Sequence, residues 1–114
     1  MIEVEIFLDD SGRIREFTLQ GHAGFAPHGS DIVCAGVSIL AQTAVMGLYK
    51  YLTAAPRVEK EAGLLRCLLP VNLPEKEMEL AQVILQTMLL GLEATEQNYR
   101  KYIRIYKRRW TECL

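Results

Sequence analysis

Cys34 and His22 are the side chains of this sequence whose types and spacing can do chemistry together. A thiolate is a nucleophile, and an imidazole within reach can hold it and later protonate a departing amine, the minimal pair for acyl transfer. Between them runs Gly21-His22-Ala23-Gly24-Phe25-Ala26-Pro27-His28-Gly29-Ser30, whose three glycines and one proline predict a loop. Ser30 or Asp31 is the natural N-cap of the helix that follows, which puts Cys34 in its first turn. Unpaired N–H groups and the helix dipole there favour an anion and lower a thiol pKa, and the same donors can receive a developing oxyanion.

Each of these residues also has an ordinary reading. A cysteine in an apolar helix is commonly a small buried hydrophobe, and a histidine in a turn commonly bonds to backbone. Asp31 and Ser38 stand three residues before and four after Cys34, on its helical face. Asp31 is either the N-cap or the group that orients His22; beside the thiol alone it would raise the thiol pKa, so its benefit must pass through the histidine. Ser38 either packs as a small polar residue or lines a pocket. His22, His28, Cys34 and Cys67 lack the paired short spacings of a metal site, so no metal or cofactor is expected.

The elements that must position the pair follow from hydrophobic period. Ile2, Val4, Ile6 and Leu8 alternate with Glu3, Glu5, Phe7 and Asp9, the pattern of a strand with one face on a core. Asp9-Asp10-Ser11-Gly12 is turn chemistry, and residues 13–20 form a second strand whose phase slips once, as at a bulge. Residues 31–52 read as a helix, 57–61 and 64–69 as a hairpin split by Ala62-Gly63, and 102–107 as a last strand. A second helix follows Pro70, with Asn72 and Glu75 spaced like a capping box, an apolar stripe of Ala81, Ile84, Leu85, Met88 and Leu92, and an end near Asn98. The order ββαββαβ predicts an α+β fold, two helices on a mostly antiparallel sheet.

Composition bounds the remaining choices. The chain has 114 residues, 50% hydrophobic, with 13 Lys and Arg against 14 Asp and Glu, which suits one core and excludes a basic nucleic-acid coat. Three cysteines without a C-x-x-C pair argue for reduced thiols in a cytosol rather than a disulfide scaffold. The N-terminus has no signal-peptide pattern. The uncharged run 32–49 approaches a membrane span in length, yet Ser38, Gln42, Thr43 and its small residues suit a helix packed on a sheet. Near the C-terminus, Arg100, Lys101, Arg104, Lys107, Arg108 and Arg109 interleave with Tyr99, Tyr102, Tyr106 and Trp110. That composition is either a solvated strand face or the surface of a non-catalytic ribosome- or RNA-associated binding module. An RNA module has no need of Cys34 at a helix start beside His22.

Gly21-His22-Ala23-Gly24, then Gly29, then Asp31-Ile32-Val33-Cys34-Ala35-Gly36-Val37-Ser38 resemble the ribosomal-processing cysteine protease family, called Prp, and the element order agrees over the whole chain. Gly36 stands where the family usually has alanine, and His28 matches no family position. The resemblance implies one cysteine protease domain over 1–114, a bacterial cytoplasmic endopeptidase that removes the N-terminal extension of the twenty-seventh large-subunit ribosomal protein. It places His22 and Cys34 on the family's catalytic pair and Asp31 and Ser38 on accessory polar positions. Gly21, Ala23, Gly24 and Gly29 then belong to a mobile lid joining the pair. A homodimer is also expected, from the resemblance and because two apolar helices offer more surface than one small sheet covers.

Overall fold

The computed structural model describes residues 1–21 and 28–111, and for 28–31 the backbone alone. The observed order is β1 (Ile2–Leu8), β2 (Ile14–Gln20), α1 (His28–Tyr51), β3 (Arg57–Glu61), β4 (Leu64–Leu68), α2 (Glu75–Asn98) and β5 (Ile103–Arg109), the order expected. The strands form one sheet ordered β3-β4-β2-β1-β5. β1 and β5 pair in parallel, and the other three pairings are antiparallel.

Alternation along β1 sends Val4 and Ile6 into the core and leaves Glu5 and Phe7 on the opposite face. In β2 the period slips where expected: Phe7 faces Glu16 but Leu8 faces Ile14, so Arg15 is the extra residue of a bulge. The slip keeps both Ile14 and Phe17 fully buried. α2 closes the irregularity with the carboxamide of Gln82, whose Oε1 accepts the Ile14 N–H at 2.7 Å and whose Nε2 donates to the Ile14 carbonyl at 2.8 Å. A side chain thus satisfies the backbone groups of Ile14, which the β2–β4 ladder, beginning at Glu16, does not reach.

Both helices lie on one face of the sheet. α1 buries Val33, Val37, Ala41, Ala44 and Leu48, and α2 buries Met78, Ala81, Leu85, Met88 and Leu92. Each large apolar side chain removed from water contributes about 1.5–3 kcal/mol, whereas an exposed ion pair contributes about 0–1 kcal/mol, so this shared core dominates the fold. By length and composition Ile32–Tyr51 could also cross a membrane, but its buried stripe rests on the sheet.

Both helix starts differ from expectation. α1 begins at His28, so Gly29 and Ser30 are helical and Asp31 lies inside the helix rather than capping it. Without Pro between 28 and 52, nothing in the backbone stops the helix from running back to the residue after Pro27. α2 has Pro74 at its N-cap and no side-chain cap bond, so the Asn72 and Glu75 box does not form. Asn72 lies two residues before the cap, off the position a capping box requires. Glu77 of the first turn instead accepts the Thr53 backbone N–H at 2.6 Å and tethers the chain after α1 to the start of α2.

Gln82→Ala is expected to destabilise the protein by roughly 2–3 kcal/mol, since it orphans two backbone groups of a buried strand residue. Urea unfolding measures this, and an unchanged midpoint would mean that water replaces the carboxamide.

Candidate active site around Cys34

The burial of Val33, Val37 and Ala41 fixes the rotation of α1 about its axis. Residues one position later are turned by about 100°, toward the margin of the interface. Cys34 and Ser38 are accordingly half-buried, and with Gln42 they form one wall of a cavity of about 130 Å³. Leu19 and Leu65, opposed in the β2–β4 ladder, contribute its apolar lining from the sheet. The opposite wall is the tip of the β3–β4 hairpin, with Lys60, Glu61, Gly63 and Leu64. Lys60 is in register with Leu65 and therefore shares its helix-facing side; its Nζ donates to Gln42 Oε1 at 3.3 Å.

Gly21 lines the same cavity and closes the end of β2. Its N–H donates to the Gly63 carbonyl at 2.9 Å, and its φ of +94° is open to glycine but strained for other residues. A Cβ there would overlap the Met1 carbonyl oxygen. The backbone that leads into His22 is thus pinned at the cavity that Cys34 opens into.

Of the expected site residues, Gly21, Cys34 and Ser38 meet in this cavity. His22, Ala23 and Gly24, and the side chain of Asp31, lie outside the described residues. Two expectations change. The loop expected as a lid over residues 23–30 overlaps α1, since Gly29 and Ser30 are helical, and Gly21 is anchored at the end of β2; residues 22–27 lie outside the described residues. Cys34 is in the second turn of α1, not the first, so its own N–H lies within reach of the Ser30 carbonyl and helix-dipole stabilisation is reduced. Gln42, Lys60 and Glu61 were not singled out from sequence. Gln42 was accessible to such reasoning, eight residues after Cys34 on one helical face, whereas Lys60 and Glu61 reach the site only through strand register.

The other thiol described, Cys67, is 2% exposed within β4, where burial and then the nearby Glu16 carboxylate push its pKa up to about 12. It is therefore a core residue, inert as a nucleophile at neutral pH. Half of the basic C-terminal segment is paired within the chain: Arg108 with Glu5, Lys107 with Glu93 at 3.3 Å and Arg109 with Asp10 at 3.5 Å. Trp110 is stacked under Arg15 at 4.7 Å. These pairings match a solvated strand face better than a surface awaiting phosphates.

Two helices lie on one five-stranded sheet, and the half-buried Cys34 thiol opens into a small cleft at their edge. The chain belongs to the cysteine protease Prp family, whose model matches residues 1–104. It is 31% identical over 107 residues to the ribosomal processing cysteine protease Prp of Staphylococcus aureus strain Mu50, covering 92% of this chain and 97% of that one. The Bacillus subtilis Prp is 30% identical over 107 residues, covering 92% and 96%. Among solved structures, S. aureus Prp with a covalently linked product peptide superposes with a TM-score of 0.80 at 30% identity, covering 95% of this chain and 100% of the other. S. aureus Prp with a substrate peptide gives 0.82 at 29% identity, with the same coverage.

Two glycine substitutions are expected to act in opposite directions. Gly21→Ala is expected to cost at least about 1–3 kcal/mol, from its backbone conformation and from the overlap of the new Cβ with the Met1 carbonyl oxygen. Gly36→Ala, where an added Cβ meets nothing within 4 Å, is expected to stabilise by about 0.8–1 kcal/mol through helix propensity. Urea midpoints should move in opposite directions, and a neutral Gly21→Ala would remove the anchor ascribed to this residue.

Proposed function

We propose that this cysteine protease cuts the N-terminal extension from the twenty-seventh large-subunit ribosomal protein in the bacterial cytoplasm, with Cys34 as nucleophile and His22 as base and then acid. The observation that carries the reading is the shared cavity: the Cys34 wall ends against Gly21, the residue bonded to His22. The S. aureus relative held with a covalently linked product peptide supports a covalent route in this family.

In the reaction, Cys34 Sγ attacks the scissile carbonyl as His22 takes the thiol proton. The carbon–nitrogen bond then breaks, and His22 delivers that proton to the departing amine. Water next attacks the thioester, losing a proton to His22; the acyl fragment leaves as an acid and the thiol is restored. Ser38, one turn beyond Cys34, is placed to hydrogen-bond within the cleft, and Asp31 is proposed to orient His22.

A second copy of this chain is the proposed partner for the outer faces of the helices. There Ile39, Gly47, Val83 and Ile84 line an apolar groove of about 400 Å³, flanked by exposed Met46 and Leu90. Apolar area of this kind usually marks an interaction surface, and a two-fold pair is its commonest closed solution. Sedimentation equilibrium at micromolar concentration should give twice 12.9 kDa; a concentration-independent 12.9 kDa would refute the pairing.

Cys34→Ala and His22→Ala are each expected to lower cleavage of the extended ribosomal protein by on the order of 10³-fold or more, with unchanged circular dichroism. Cys67→Ala should retain cleavage. Product masses from the wild type and the three variants decide the matter, and cleavage retained by Cys34→Ala would overturn the mechanism.

A further inference from the structure

The cleft extends away from Cys34 along α1. Cys34, Ser38 and Gln42 occupy positions i, i+4 and i+8, and all three line it. Eight residues of helix rise about 12 Å, the span of three to four residues of extended peptide. A peptide with its reacting carbonyl at Cys34 and its chain along α1 therefore reaches Gln42 three or four residues from the bond that is cut.

At that point the side chain is already oriented. Lys60 Nζ donates to Gln42 Oε1 across the cleft, and an ammonium has no acceptor to offer the other end of the carboxamide. The Gln42 Nε2 group has no partner among the described residues, so this carboxamide offers the cleft a pair of N–H donors, with the remaining Lys60 ammonium donors beside it and the Glu61 carboxylate at the hairpin tip. A main-chain carbonyl of an extended peptide is the complementary group, and it is present whatever the substrate's side chains are.

Resting on the assignment of peptide cleavage to Cys34, we infer that Gln42 binds a substrate main-chain carbonyl three or four residues from the scissile bond, and that Lys60 acts as a positioning residue by holding the Gln42 carboxamide. Binding at this distance aligns the peptide without taking part in bond breaking. Its loss therefore appears in KM more than in kcat.

The test is steady-state cleavage of two peptides copied from the extended ribosomal protein, one with six residues on each side of the scissile bond and one with two. Gln42→Met keeps the side-chain length and removes the donors. It is expected to lower kcat/KM for the long peptide about three- to tenfold, mainly through KM, and to lower it clearly less for the short peptide, which does not span the distance to Gln42. Lys60→Ala should reproduce part of this loss. Equal losses on both peptides, or no loss on the long one, would overturn the inference while Cys34-dependent cleavage by the wild type stands. Cleavage that survives Cys34→Ala would overturn the underlying assignment and the inference with it.

Discussion

The rotational setting of α1 on the sheet is the constraint on which the site depends. Val33, Val37, Ala41, Ala44 and Leu48 are buried as one stripe. Sliding or turning that stripe would expose several apolar side chains at about 1.5–3 kcal/mol each, far more than any polar contact in the cleft could return. Because the stripe is fixed, so is the row one position later, and Cys34, Ser38 and Gln42 are held along the boundary between helix and hairpin. The Cys34 thiol is thus placed by packing of its neighbours rather than by bonds of its own.

The second wall depends on sheet register. Lys60, Leu65 and Leu19 lie in one row across β3, β4 and β2, so a slip of one residue in β3 would turn Lys60 to the far face and remove its contact with Gln42. Register in turn rests on turn and bulge chemistry. Gly63 adopts a φ of +77° at the hairpin tip, and Gln82 secures the bulged strand next to β4. The far face of the sheet follows different rules. There Glu5 of β1 pairs with Arg108 of β5, and Arg15 of β2 stacks on Trp110.

Most of the fold was legible in the sequence because its signals are local. Period-two alternation marks β1, the phase slip announces the bulge at Arg15, and the Ala81 to Leu92 stripe marks the buried face of α2. Errors fell at the helix starts, where competing cap residues leave the boundary to tertiary context. Asp31 looks like an N-cap, yet the helix continues to His28; Asn72 and Glu75 look like a box, yet Pro74 takes the cap. The site was legible along α1, since Cys34 and Ser38 share a face, and through the glycine pattern at Gly21. It was not legible across the cleft. Lys60 is separated from Gln42 by 18 residues, and no property of an exposed lysine in a short strand signals which helix it meets.

The proposed mechanism requires that the Cys34 sulfur carry the acyl group during turnover. Acid quench of the wild type during cleavage of the extended ribosomal protein, followed by intact-mass and peptide mapping, tests this directly. A thioester of the N-terminal fragment on the peptide containing Cys34, absent once substrate is exhausted, is the expected result. Cleavage without any such adduct, or an adduct on Cys67, would contradict it.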